Sequence, residues 1–226
     1  MNDSDTAGNV RDKVKPLLNE GSFKDALDIL NEELATASER AKVPIYMLLG
    51  DVQHKMGDIG KSIDSFAKAA ELASETDDAE ILAKGQHKQG SVYLETGRFE
   101  KSKKIFQKSL KNAEKSGNTR LQFDILSDIA LIHKHSGDYK EAVGDYTRAL
   151  KIAEKLNDSD RKSEAYLNIA AVYVKSGDDN QAEKTLKAAR NLNDVSENSI
   201  ANQYSVNGYY HLTKKDYGEA IQNMLA

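Results

Sequence analysis

The 226-residue chain has no cysteine and only two prolines, Pro16 and Pro44. Without cysteine there is no disulfide, no thiolate zinc site and no thiol nucleophile. So few prolines leave almost the whole chain free to be helical. No apolar run approaches the roughly 18 residues that a membrane-spanning helix needs. The opening stretch MNDSDTAGNV has neither the basic nor the apolar segment of a secretory signal. Basic excess is missing too: 32 Lys+Arg against 36 Asp+Glu leave a net charge of -4. That is the wrong sign for a dedicated nucleic-acid binder. The expectations are no nucleic acid, no membrane and a cytoplasmic location. The chain is polar, with 30% charged residues, and its 39% hydrophobic residues are still enough for a core.

What the chain does have is a repeat. A Gly-polar-aromatic punctuation recurs at Gly21-Ser22-Phe23, Gly57-Asp58-Ile59, Gly97-Arg98-Phe99, Gly137-Asp138-Tyr139 and Gly177-Asp178-Asp179, and a sixth, Lys215-Asp216-Tyr217, lacks the glycine. The successive spacings are 36, 40, 40, 40 and 38 residues. Three residues beyond the aromatic slot stands a small residue: Ala26, Ser62, Ser102, Ala142, Ala182, Ala220. Four further on stands a large one: Leu30, Phe66, Phe106, Tyr146, Leu186, Met224. Before the glycines, Tyr46, Leu49 and Gly50, or Tyr166, Ile169, Ala170 and Tyr173, keep the same three-and-four spacing. Such spacing lines one face of a helix. Each unit therefore reads as helix A, a tight turn, then helix B. Glycine at the turn admits a left-handed residue after helix A. The small slot lets two helices approach closely. Asp179, standing where an aromatic belongs, predicts a looser fifth turn, and Pro16 predicts a kinked or late-starting first helix.

The pattern resembles the tetratricopeptide repeat, whose helix A carries a large residue, Leu-Gly and Tyr, and whose helix B carries Ala, a large residue and Ala-Leu. The period here is 40 rather than 34, similar to arrays of the LGN and kinesin-light-chain kind and to bacterial and archaeal signalling arrays. The resemblance implies an all-α fold, a right-handed superhelical solenoid of about six helix-turn-helix units. Their expected bounds are 8–38, 41–76, 79–116, 119–157, 160–194 and 197–226, after a disordered stretch 1–7. The last unit is read as incomplete, with Ala220, Met224 and Leu225 poorly covered. That suggests a piece of a longer protein, or self-association through an uncapped C-terminal unit.

Several features look like chemistry and are explained by packing. Gly57-Asp58-Ile59-Gly60-Lys61-Ser62 lacks the spacing of a phosphate-binding loop, and Ser62 fills the small slot. The five histidines, His54, His87, His133, His135 and His211, show no HExxH spacing. His133 and His211 fall in the tyrosine slot of helix A. The lysines of helix B in unit three, Lys101, Lys103, Lys104, Lys108, Lys111 and Lys115, read as a solvated face. No serine sits in a nucleophile elbow. No catalytic role, metal or cofactor is expected.

In the resembling family helix A lines the concave face, where partners bind. Counting back from each turn gives the expected peptide-binding positions: Met47, Asp51 and His54 in unit two; Lys84, His87, Ser91 and Leu94 in unit three; Asp124, Ser127, Leu131 and Lys134 in unit four; Glu164, Leu167, Ala171 and Val174 in unit five; Asn202, Ser205, Tyr209 and Leu212 in unit six. Tyr209 is the strongest candidate, an aromatic outside the packing register. A chaperone-type carboxylate clamp is not expected: Arg11 and Lys15 are followed by Asp51 where an asparagine is needed. The leading reading is a scaffold that holds a partner peptide or helix. The alternative is a sensor module of a larger signalling protein whose output domain lies C-terminal. A catalytic array of the phosphatase-like kind ranks last, because its additional N-terminal bundle is absent.

Overall fold

The computed structural model describes the backbone of residues 3–225 and the side chains of residues 9–225. Among the described residues there are twelve helices and no strand, the all-α class expected. They fall into two compact units. The first, Met1–Asn118, holds α1 (Asp3–Glu20), α2 (Phe23–Thr36), α3 (Glu39–Lys55), α4 (Ile59–Glu75), α5 (Ala79–Glu95) and α6 (Phe99–Lys115). The second, Thr119–Ala226, holds α7 (Thr119–Ser136), α8 (Tyr139–Lys155), α9 (Ser159–Ser176), α10 (Asp179–Arg190), α11 (Glu197–Thr213) and α12 (Tyr217–Leu225). The stretch 1–7, set aside as disordered, falls on side chains outside the described residues. α1 runs on through Pro16 instead of starting after it.

The turns explain the repeat. Gly21, Gly57, Gly97, Gly137 and Gly177 have φ between 70° and 81°, in the left-handed region. At Gly57 the closure is typical: its N–H donates to His54 O at 2.9 Å and the next N–H, of Asp58, to Gln53 O at 2.8 Å. Those two bonds satisfy carbonyls that the end of α3 would otherwise leave open. Between hairpins the same left-handed step is taken by Asp77, Gly117 and Asn157. From position 57 to 177 a left-handed residue thus recurs every twenty positions, the length of one helix plus one turn. The fifth turn is not looser. Gly177 closes it with Asp178 N–H donating to Tyr173 O at 3.0 Å, and the Asp178 carboxylate accepts from Gln181 N–H at 3.1 Å. That cap holds the start of α10 without the aromatic.

Inside each hairpin the small slot is filled as expected. Ala26, Ser62, Ser102, Ala142, Ala182 and Ala220 are all 0% exposed. The residue facing it on helix A is small too: Gly50, Gly90 and Gly208, or Ala130 and Ala170. In α3 and α5 it is Gly50 or Gly90, and the serine hydroxyl donates to its carbonyl: Ser62 Oγ to Gly50 O and Ser102 Oγ to Gly90 O, each at 2.8 Å. In the second unit the positions become Ala130 with Ala142 and Tyr146, and Ala170 with Ala182 and Leu186. Cores form between successive helices: Ile63 and Phe66 of α4 against Val92 of α5, and Ala182 and Leu186 of α10 against Tyr210 of α11. In the last hairpin Ala220 is fully buried, contrary to expectation, while Met224 and Leu225 stand exposed.

Candidate functional site

The helix-A face differs in character between the two units. In Met1–Asn118 its polar groups are spent on one another. Lys88 Nζ lies 2.6 Å from Asp51 Oδ1, and His54 Nε2 lies 2.7 Å from Glu95 Oε2, both bridging α3 and α5. Lys84 pairs with Glu80 one turn earlier. His87 packs against the Phe106 ring at 5.6 Å, and Ser91 Oγ donates to His87 O at 3.0 Å. Met47 packs against the Val43–Ala69 and Ile63–Phe66 clusters, and Leu94 is half-buried. Asp51, an expected groove position, is therefore occupied by Lys88.

In Thr119–Ala226 the same face holds a cavity of about 260 Å³ between α9 and α11, lined by Asp160, Arg161, Ser163, Glu164, Leu167, Ser199 and Asn202. Its geometry begins at Asp158, the N-cap of α9, whose carboxylate accepts from Arg161 N–H at 3.0 Å. That bond, with the guanidinium beside it, holds the Asp158 carboxyl below its ordinary range. Arg161 is anchored from three sides: Nη1 donates to Asp158 at 3.1 Å, Nη2 to Asp124 of α7 at 3.4 Å, and the guanidinium lies 5.3 Å from the Phe123 ring. Its Nε is buried without a hydrogen-bond partner, as is Ser127 Oγ. Asp160 ties α11 to α9 by accepting from Ser196 N–H and Ser199 Oγ, each at 2.7 Å. Gln203 locks the same joint, donating to Ser163 Oγ at 2.9 Å and Ala189 O at 3.1 Å.

Glu164 lines this cavity with its side chain still exposed to solvent, and has no hydrogen bond or ion pair among the described residues. Burial by the surrounding protein, then the nearby Asp124 carboxylate, push its carboxyl above the ordinary range. Toward the other end of α7, Lys134 is half-buried and has no acidic partner among the described residues. Loss of water and the neighbouring Lys175 ammonium lower its pKa. Of the other expected positions, Leu167 is buried and shares the Ala170–Leu186 core, Val174 packs on it, and Leu131 and Ala171 are half-buried. Asn202 and Ser205 are exposed, Tyr209 is 50% exposed, and Leu212 is exposed beside it.

Counting back from the turn stopped at Glu164 and so missed Arg161 and Asp160. The signal was available: Arg161 precedes Glu164 by three residues, which puts both on one face of α9. His133 is buried with Nδ1 3.0 Å from Asp145, and His211 Nδ1 lies 3.4 Å from Asp216. Lys101, Lys104, Lys108, Lys111 and Lys115 of α6 are exposed. No helix among the described residues is long and apolar enough to cross a membrane.

No curated protein matches the sequence. Among solved structures, the apo form of RapI has a TM-score of 0.82 at 17% identity, with 96% of this chain and 81% of that chain covered. Aspartyl phosphate phosphatase F from Bacillus subtilis has a TM-score of 0.79 at 19% identity, covering 94% of this chain and 57% of that one. A signal transduction ATPase with a tetratricopeptide repeat sensor, from Pyrococcus horikoshii, has a TM-score of 0.73 at 18% identity, covering 98% of this chain and 32% of that one. At such identities these likenesses speak for the fold alone. The sequence pattern of one family matches residues 43–115 and 121–194, more than half of the chain. With those matches and the registered hairpins, the chain belongs to the tetratricopeptide repeat family.

Proposed function

We propose that this chain is a non-catalytic interaction scaffold that binds a partner peptide or helix on its helix-A face, and that the face of α7, α9 and α11 is where it binds. One observation carries the reading. The charged groups of this face are consumed by internal pairs in the first unit, whereas in the second Glu164, on the wall of a cavity, and Lys134, toward the other end of α7, stay unpaired among the described residues. An unpaired ammonium half withdrawn from water, as at Lys134, and an unpaired carboxylate crowded by other carboxylates, as at Glu164, both favour a partner that completes them. Tyr209 adds an exposed aromatic of the kind that anchors interfaces. The reading places it in the cytoplasm.

The test is capture of partners from native extract on the chain and on a Lys134→Glu/Tyr209→Ala variant, with mass spectrometry. A partner retained by the first and lost from the second supports the assignment. A partner held equally by both moves the site off this face, and recovery of the bait alone favours self-association. The likeness to the Pyrococcus horikoshii protein, whose repeat array is a sensor, favours a second reading: a regulatory module whose bound state is passed to an attached domain. Partner binding at the same face serves both.

A further inference from the structure

The cavity on α9 has a sign and a size, and together they describe what enters it. At about 260 Å³ it is below the roughly 300–1,000 Å³ typical of small-molecule sites. It suits one long side chain of a docked segment. Two carboxylates line it, Asp160 and Glu164, against one guanidinium, that of Arg161, and the carboxylates of Asp124, Asp128 and Asp158 lie close enough to act on Glu164. The Nη1 and Nη2 of that guanidinium are already engaged by Asp158 and Asp124, which leaves only the buried Nε without a hydrogen-bond partner. Asp160 is occupied with the start of α11. Glu164 is left as the carboxylate with no hydrogen-bond or ion-pair partner, and the Leu167 side chain lies beside it as an apolar wall.

Resting on the reading that a partner binds this face, we infer that the partner presents a lysine or arginine side chain to this cavity, its aliphatic stem along Leu167 and its charged head on Glu164. A cation there converts mutual repulsion among Glu164, Asp124 and Asp128 into attraction. A long basic side chain buries its methylenes while pairing its head. An acidic or phosphorylated side chain is rejected by the same carboxylates. The direction of the Glu164 shift agrees with this: burial and then Asp124 raise its carboxyl, and the Arg161 guanidinium offsets them only in part.

The experiment pans a random dodecapeptide display library on the full chain and measures the enriched peptides by fluorescence anisotropy. The variants are Glu164→Gln, Glu164→Lys and, as a control for the face itself, Asn202→Ala/Tyr209→Ala, each checked for helical content. The expected result is enrichment of peptides with a Lys or Arg at one register. Their affinity should fall about tenfold with Glu164→Gln and further with Glu164→Lys, and replacing that basic residue by alanine should abolish the difference. Peptides lost with Asn202→Ala/Tyr209→Ala but indifferent to both Glu164 changes would overturn the cation assignment and leave the binding face standing. Peptides indifferent to every variant, or no enrichment over an uncoated surface, would overturn both.

Discussion

A Cβ added to Gly90 would stand 2.6 Å from Cδ1 of Phe106, closer than side chains in contact tolerate. Phe106 is fully buried and cannot swing away. Alanine would raise the helix propensity of α5 by about 1 kcal/mol over glycine. Overpacking a core costs about 1–3 kcal/mol, and with no room to relax the clash should win. Gly90→Ala is expected to lower the melting temperature. Phe106→Leu should recover part of the loss in the Gly90→Ala background, because Ala170 with Leu186 is the same joint in α9 and α10. A double-mutant cycle by thermal melts reads the coupling. Strictly additive effects would mean that the two residues do not constrain each other.

Two serines should respond in opposite ways to the same change. Ser62 Oγ donates to Gly50 O at 2.8 Å in a fully buried joint. Ser127 Oγ is buried with no hydrogen-bond partner. Removing a made bond costs about 1 kcal/mol, while removing an orphaned hydroxyl is neutral or favourable. Ser62→Ala is expected to shift the urea midpoint down, and Ser127→Ala to leave it or raise it. Equal losses in the two variants would show that Ser127 has a partner in solution.

The hairpins, their register and the small slots were legible because steric demands repeat along the chain. Only small residues fit where α4 approaches α3, and a left-handed turn selects glycine. The fifth turn misled because its aromatic slot is dispensable: Gly177 sets the backbone and Asp178 caps α10. Charge pairing was not legible. Asp51 and Lys88 are 37 positions apart, and whether they meet depends on how far α5 is rotated against α3. The same uncertainty hid Arg161, whose partner Asp124 lies on another helix.

Asp160 should hold the last hairpin to α9. Its carboxylate accepts from Ser196 N–H and Ser199 Oγ at the first turn of α11. These bonds keep its pKa below the ordinary value, the Ser199 hydroxyl contributing most. For a carboxyl depressed in the folded state, the contribution is present above the unfolded value of 3.8 and is lost as pH falls through the folded one. Asp160→Ala is expected to increase amide hydrogen exchange in residues 197–203 at neutral pH while α9 stays protected. Unchanged exchange would assign the joint to Gln203 and Tyr210 alone.

Glu164 predicts the opposite pH behaviour. Its carboxyl is raised above the unfolded value of 4.5, first by burial and then by Asp124. Between the unfolded and folded values the native state binds the proton more readily, so stability falls as pH rises through that window. At neutral pH the ionised side chain is a small net burden on the fold. Glu164→Gln keeps the shape and removes the charge. The variant is therefore expected to melt slightly above the wild type at pH 7, with the gain shrinking toward zero below about pH 4.5, where both states of the wild type are protonated. Paired melts across that range measure it. A residue that lowers stability yet could be replaced by glutamine without strain is what a binding site retains and a purely structural surface does not. A variant less stable than wild type at neutral pH would instead show Glu164 satisfied within the fold by Arg161, and the cavity would lose its claim to an incoming charge.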